Sequence, residues 1–190
     1  LNYLKKVKEY MDRSSWIRKM FEQGLELKAK YGAEKVFDFS LGNPNLEPPQ
    51  RVKDAILKVL ESKIRGKHSY MPNAGLREAR EAVASSLSKE QGLSIPWENV
   101  IMTCGAGGGI NVALKTLLDN EENVIVLSPY FVEYLFYIDN HNGLSNIVDT
   151  NEDFTLNIEA IEKSIGDKTK AIILNSPNNP SGRVYNESSL

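Results

Sequence analysis

The sequence predicts an α/β fold, with a mostly parallel sheet, helices on both of its faces and an N-terminal helical arm ahead of it. Three observations lead to this fold class. From residue 100 onward, short and strongly apolar segments alternate with helical segments. Such apolar strands are typical of parallel sheets buried on both faces, and strand–helix alternation builds these sheets. Ahead of the alternation, residues 4–30 are rich in Lys, Glu, Met and Leu, which favours one long helix.

The N-terminal part predicts helices separated by loops and one short strand. The long helix should stop at Gly32. Its apolar stripe is most simply explained by core or dimer packing, and it consists of Trp16, Ile17, Met20, Phe21 and Leu25. Residues 36–39 predict a short strand, and residues 41–49 predict a loop between subdomains. The remaining elements are a helix over residues 52–60, a loop over residues 64–73 and a helix over residues 76–87.

The alternating part predicts four strands and three helices. The strands are expected at residues 100–103, 124–127, 145–149 and 171–174. The helices are expected at residues 110–118, 132–140 and 158–165. We expect residues 1–46 to form the arm and part of a small domain, and residues 47–190 to form the first part of a large α/β domain.

Composition excludes several classes of function. The chain has 190 residues, 41% of them apolar, and a net charge of −2, so neither nucleic acid nor an anionic membrane surface is indicated as a partner. No apolar run is long enough to span a bilayer, and Cys104 is the lone cysteine, which fits a reducing, cytoplasmic location. His68 and His141 are isolated, so no metal site is expected. The first residue is Leu and the last five residues resemble a helix start, so we expect a piece of a longer protein.

A glycine-rich run follows the first predicted strand of the alternation. Four of the five residues 105–109 are glycine, and a helix comes next, so free amides at the helix start could bind a phosphate. The amides of Ala106 and Gly107 are the expected donors. The run matches neither the Rossmann fingerprint nor a Walker loop, and a tight structural turn would explain it equally well.

Aromatic residues follow the next strand. Phe131 lies at the predicted switch from strand to helix, where an aromatic ring could stack on a planar heterocycle. For Tyr134 and Tyr137, packing of the helix onto the sheet is the simpler interpretation.

The segment from Asn175 to Gly182 follows the last predicted strand. Its sequence Asn-Ser-Pro-Asn-Asn-Pro-Ser-Gly predicts a stiff turn at the edge where open α/β sheets bind ligands. Two amide side chains, Asn178 and Asn179, are carried on this frame. Sharp turns at strand ends also favour cis peptide bonds at Ser128–Pro129 and Asn179–Pro180.

These motifs together resemble the class I/II aminotransferases, which are fold type I pyridoxal 5'-phosphate (PLP) enzymes. The resemblance covers about residues 39–182. Its most specific element is Ser-Pro-Asn-Asn-Pro-Ser-Gly at 176–182, with Ser181 where threonine is commoner. The supporting elements are Leu-Gly-Asn-Pro at 41–44 and the stretch from Tyr70 to Ala79, with Gly-Leu-Arg-Glu-Ala at 75–79.

The resemblance implies a role for each candidate residue. Asn179 would hydrogen-bond the phenolic oxygen of PLP, Phe131 would stack on its ring, and the amides of Ala106 and Gly107 would bind its phosphate. Tyr70 would reach the cofactor of a partner subunit, which implies a homodimer. Gly42 would lie near the carboxylate of the amino-acid substrate.

The resemblance also implies an activity: transfer of an amino group between an amino acid and a 2-keto acid. The family's Schiff-base lysine and its other catalytic residues lie downstream of the Asn-Pro-Ser/Thr-Gly turn. We therefore expect no catalytic residue in this segment and no activity of the segment alone. Two alternatives stay open: a PLP-dependent C–S lyase or related synthase on the same scaffold, and a regulator with an aminotransferase-like sensor domain.

Overall fold

A computed structural model describes residues 5–40, 42, 44 and 46–190, without the side chains of residues 6 and 11–18. The chain divides into two compact units, Leu1–Lys67 and His68–Leu190. Nowhere in the described ranges is there a helix long and apolar enough to cross a membrane.

Among its described residues, the first unit has two α-helices, α1 (Lys5–Tyr31) and α2 (Gln50–Glu61). Both predicted helices are confirmed, and α1 ends one residue before Gly32 as expected. In the predicted stripe, Met20, Phe21 and Leu25 are exposed, while the side chains of Trp16 and Ile17 lie outside the described residues. The predicted strand at residues 36–39 is wrong, since the segment pairs with no strand of the described chain.

Side chains rather than a sheet hold the segment that follows α1. Lys28 on α1 donates to Asp38 Oδ2 at 2.7 Å, and the backbone and hydroxyl of Ser40 donate to Asp38 Oδ1 at 3.0 and 2.6 Å. Because Lys28 and Ser40 stabilise the charged form, the pKa of Asp38 lies well below its ordinary value. A Cβ atom at Gly24 would lie 2.8 Å from Asp38 Oδ2, so the absence of a side chain there admits the carboxylate.

The second unit contains the α/β alternation. Its helices are α3 (Arg77–Gln91), α4 (Gly105–Leu117), α5 (Glu133–Asp139) and α6 (Ile158–Ser164). Its strands are β1 (Asn123–Ser128), β2 (Leu144–Asp149) and β3 (Thr169–Ile173). Single 3-10 turns cover Ala33–Lys35 in the first unit and Trp97–Asn99 and Glu187–Ser189 in the second. The predicted helices and the last three predicted strands are confirmed, although α4 begins five residues earlier than expected.

The sheet has the order β2-β1-β3 and both pairings are parallel, which confirms the predicted fold class. Strand β1 is central and buried, and its successive side chains point to opposite faces. Val124 and Val126 pack into one core cluster with Leu114, Leu118, Tyr134 and Ile138 from the α4 and α5 side. Ile125 and Leu127 pack into another with Val148, Leu156, Ile161 and Tyr185. Helices therefore cover both faces.

The predicted strand at residues 100–103 is wrong. None of the described strands pairs with this segment. Instead, the Met102 amide donates to the Ala74 carbonyl at 2.9 Å, and Arg80 Nε donates to the Val100 carbonyl at 2.6 Å. Ile101 and Met102 remain exposed. An apolar run can indicate a strand, but a ladder also requires a neighbour, which the local sequence does not supply.

Candidate functional site

The candidate site lies at the carboxyl edge of the sheet, where the loops after β1, β2 and β3 are hydrogen-bonded to one another. The amide and hydroxyl of Thr150 donate to the Ser128 carbonyl at 3.2 and 2.8 Å. The Asn178 side chain donates to the Pro129 carbonyl at 3.1 Å. The loop that carries Phe131 is thus held from both neighbouring strands, at the edge where open α/β sheets bind ligands.

The glycine-rich turn forms the beginning of α4. Gly105 has a φ of +73°, and no atom lies within 4 Å of where its Cβ would be. The Thr103 hydroxyl braces the turn by donating to the Gly105 carbonyl at 3.0 Å. The Gly105 amide donates to the Thr103 carbonyl at 3.1 Å, and Cys104, the N-cap residue, makes no side-chain capping bond within the described structure, so the amides of Ala106 and Gly107 are left available to a ligand.

Tyr137 adds a hydroxyl group to this turn that the sequence analysis did not assign to the site. A Cβ atom on Gly107 would lie 2.8 Å from the Tyr137 hydroxyl oxygen and 3.3 Å from Cζ of its ring. The hydroxyl donates to the carboxylate of Glu133, one turn earlier on α5. This hydrogen bond, followed by burial, raises the pKa of Tyr137, so the hydroxyl keeps its proton. Thirty residues separate Gly107 from Tyr137, and no local pattern indicates the contact.

Phe131 lies two residues before α5, in the loop that follows the cis Ser128–Pro129 bond, and the sequence analysis expected that bond to be cis. It is half-buried against the core cluster that α4 and α5 share. Its ring meets that of Tyr134 edge to face, with centroids 5.6 Å apart and an interplanar angle of 82°. Tyr134 itself is buried, so the packing interpretation of Tyr134 is confirmed.

The two asparagines of the last turn have different environments. Asn178 is buried, and its side-chain amide donates to Ser181 Oγ at 2.8 Å as well as to Pro129. Asn179 is exposed, and no residue of the described chain hydrogen-bonds its side chain. The expected cis bond at Asn179–Pro180 is confirmed, and Ser176–Pro177 is also cis. The turn therefore holds one amide internally and leaves the other available.

Backbone hydrogen bonds close the same turn. The Asn178 amide donates to the Arg183 carbonyl at 2.8 Å, and the Gly182 amide donates to the Asn178 carbonyl at 2.7 Å. The Tyr185 amide donates to Ser176 Oγ at 3.0 Å, which fixes the chain leaving the turn. Asn179 is consequently presented on a rigid loop.

Tyr70 and Gly42 lie away from this edge in the sequence. The Tyr70 side chain is fully exposed. Its loop is attached to the segment before the glycine-rich turn, since a Cβ on Gly75 would lie 2.7 Å from Cγ of Met102. Gly42 belongs to the first unit, where it is exposed with open space around it.

The chemical groups at this edge of the sheet match those of a small phosphorylated aromatic molecule. Open amides at a helix start suit a phosphate, a half-buried aromatic ring suits a planar heterocycle, and a free amide suits an oxygen substituent. No side chain fills the space beside Gly105, so the turn can admit such a group. In the part of the chain that the structure describes, no group of three His, Cys, Asp or Glu side chains could hold a metal ion.

Comparison with known proteins identifies the class. Residues 34–190 match the family "Aminotransferase class I and II". The chain belongs to this family.

Similar proteins include a probable aspartate aminotransferase from Methanocaldococcus jannaschii, with 33% identity over 80% of this chain and 40% of the relative. The aspartate/prephenate aminotransferase of Thermus thermophilus is 37% identical over 86% of this chain and 42% of the relative. Among solved structures, an amino transferase from Eubacterium rectale has a TM-score of 0.91 and 33% identity, covering 99% of this chain and 48% of that one. The chain thus spans less than half the length of these relatives.

Proposed function

We propose that these residues form the cofactor-binding half of a PLP-dependent aminotransferase, which moves an amino group between an amino acid and a 2-keto acid. One observation carries the proposal. The hydrogen bond from Asn178 to the Pro129 carbonyl joins the loop after β3, which carries Asn179, to the loop after β1, which carries Phe131. Two neighbouring strand ends thereby offer a ring-stacking group and an amide to one ligand.

Each candidate residue has a task that fits its environment. The first-turn amides of α4 at Ala106 and Gly107 bind the phosphate, because they are uncapped and lie at the positive end of the helix dipole. Phe131 stacks on the pyridine ring, held in place by its contact with Tyr134. Asn179 donates a hydrogen bond to the phenolic oxygen. When bound, PLP supplies an electron sink for the substrate's α-carbon.

The exposure of Tyr70 supports a homodimer. No residue of the described chain hydrogen-bonds the Tyr70 side chain, although its backbone loop is anchored to residue 102. Such a side chain can reach a cofactor phosphate in a partner subunit. Gly42, with its open surroundings, is proposed to lie near the substrate carboxylate. In the domain division that we propose, residues 1–46 belong to the arm and small domain and residues 47–190 to the large domain.

The names of the relatives suggest which substrates to test first. Several are named aspartate or aspartate/prephenate aminotransferases, and one from Thermococcus litoralis is named an aromatic-amino-acid aminotransferase. We therefore propose a cytoplasmic enzyme that uses a dicarboxylic or aromatic amino acid as the amino donor.

The decisive experiment measures product formation by the full-length protein with PLP, in one assay with 2-oxoglutarate and either aspartate or phenylalanine, and in another with cystathionine, whose C–S bond a lyase could cleave. Transamination produces the matching keto acid without free ammonia. Ammonia release without transfer of the amino group would indicate a lyase, and the absence of any turnover would contradict the enzymatic proposal.

A variant pair tests the assigned site directly. Asn179→Ala should raise the Kd for PLP, because the phenolic oxygen loses its amide partner. Asn99→Ala removes another exposed amide, from a 3-10 turn outside the proposed site, and should leave the Kd unchanged. Equal effects of the two substitutions would contradict the role of Asn179.

A further inference from the structure

The position of the Tyr137 hydroxyl group relative to α4 indicates a function. In an α-helix every Cα–Cβ bond tilts toward the N-terminus. The point that a Gly107 Cβ would occupy therefore lies on the outer surface of the first turn, displaced toward its N-terminal side. The Tyr137 hydroxyl oxygen lies 2.8 Å from this point.

Packing holds this hydroxyl in place. The Tyr137 ring packs against the core cluster beneath α4 and α5. Asn111 on α4 also links this helix to the residues just after α5, because its side chain donates to the Gly107 carbonyl at 2.9 Å and its Oδ1 lies 3.2 Å from His141 Nε2. A methyl group at position 107 would displace the hydroxyl. The glycine and the tyrosine thus form a matched pair.

We propose that Tyr137 is a side-chain ligand of the cofactor phosphate, supplementing the amides of Ala106 and Gly107. The inference rests on the function proposed above. In the structure the hydroxyl donates its one hydrogen to the Glu133 carboxylate. A phosphate oxygen at the start of α4 competes for that hydrogen, and rotation about the C–O bond redirects it. Glu133 is exposed, so water can replace the lost hydrogen bond.

This arrangement assigns opposite effects to two neighbours on α5. Tyr137 strengthens phosphate binding by donating a hydrogen bond. Glu133 weakens it, because its carboxylate competes for the same hydrogen and repels an anion nearby. If the Tyr137–Glu133 hydrogen bond only stabilised the turn, removing either residue would weaken phosphate binding in the same direction.

The test compares PLP with pyridoxal, which lacks the phosphate, in titrations of the cofactor-free full-length protein followed by absorbance. The Kd for pyridoxal divided by the Kd for PLP measures how much the phosphate contributes to binding, and a larger ratio means a larger contribution. Tyr137→Phe should reduce this ratio about ten-fold, as expected for a hydrogen bond to a charged group, while the Kd for pyridoxal stays constant. Tyr31→Phe, at the exposed end of α1, is the matched control and should leave both constants unchanged.

Two further variants complete the test. Glu133→Gln should increase the ratio several-fold, because it removes the competing charge. Tyr137→Ala should reduce the ratio as Tyr137→Phe does, and Tyr137→Ala combined with Gly107→Ser should restore part of it, because the serine hydroxyl enters the vacated space.

The outcomes separate this inference from the proposed function. A wild-type protein that binds PLP no better than pyridoxal would overturn the phosphate site itself. In the other case, the wild type prefers PLP to pyridoxal while Tyr137→Phe leaves the ratio unchanged or Glu133→Gln lowers it. Either result would overturn only the role of Tyr137.

Discussion

Asn178 and Asn179 are adjacent in the chain but have opposite environments. Asn178 is buried and donates to two acceptors, whereas Asn179 is exposed on the rigid turn that Asn178 supports. The sequence could nominate both amides but could not distinguish them. The distinction depends on the Pro129 carbonyl, which lies 49 residues away in the chain.

The asparagine pair leads to a first prediction, on stability. Asn178→Ala should lower the free energy of unfolding by about 1–3 kcal/mol, because the partly buried Pro129 carbonyl and Ser181 hydroxyl lose their donor. Asn179→Ala should change it by less than about 0.5 kcal/mol, as for other exposed positions. Urea unfolding measures both values, and similar losses in the two variants would contradict the division of roles.

A second prediction concerns the backbone of the glycine-rich turn. Gly105→Ala should destabilise the protein by about 1–2 kcal/mol, because φ at this residue is +73° while space for a Cβ is open. Gly166→Ala is the control, since that site is equally open without a left-handed backbone. Thermal unfolding should separate the two, and an equal response would rule out the torsional explanation.

At the scale of elements, partners decide which apolar segments become strands. Residues 124–127 and 171–174 were predicted as strands and form β1 and β3, because each lies beside another strand. Residues 36–39 and 100–103 have comparable local sequences but no neighbouring strand in the described chain. Strand propensity can be read locally, whereas pairing is a property of the fold.

The glycine-rich turn shows the same limit for helices. Glycine has low helix propensity, so the sequence predicted that the helix would begin at Ile110. In the structure α4 begins at Gly105, because the first turn is supported by the Thr103 hydroxyl and by the packing of α4 against α5.

A third prediction concerns the link between α1 and the segment that leads to Gly42. The pKa of Asp38 is lowered by Lys28 and Ser40, so the ionised carboxylate stabilises the folded state. This stabilisation is fully present above the ordinary carboxyl pKa of about 3.9 and is lost as the pH falls below it toward the folded-state value.

The test compares acid unfolding of the wild type with that of Asp38→Asn. The variant should be less stable at neutral pH, and its disadvantage should shrink as the pH decreases below about 4. Glu159→Gln, which removes an exposed ion pair with Lys163, should show a much smaller effect. A constant difference between Asp38→Asn and wild type at every pH would contradict the ionic contribution.

For the molecule as a whole, the fold class and the residues of the candidate site could be predicted from the sequence, but the geometry of the site could not. The parallel sheet, its helices on both faces and two of the cis-proline positions were predicted, because each depends on local pattern. The Tyr137–Gly107 contact was not predicted, because it arises only when α5 packs beside α4.

The fourth prediction is that the chain of 190 residues by itself has no transaminase turnover. Two lysines around the start of β3 are paired with carboxylates, since Lys168 and Lys170 lie 3.3 and 2.8 Å from Glu121 and Glu122. The pKa of Lys170 is raised, mainly by Glu122, which keeps this amine protonated and poorly nucleophilic. Borohydride reduction with PLP followed by mass spectrometry should find no single preferred lysine, and one dominant adduct with measurable turnover would refute the prediction.

The contact between Gly107 and Tyr137 has a consequence for evolution within the family. Because one of the two positions must be small when the other carries a hydroxyl-bearing ring, a substitution at either should select for compensation at the other. Relatives with a side chain at position 107 are expected to carry a smaller residue at 137, so the two sites should covary.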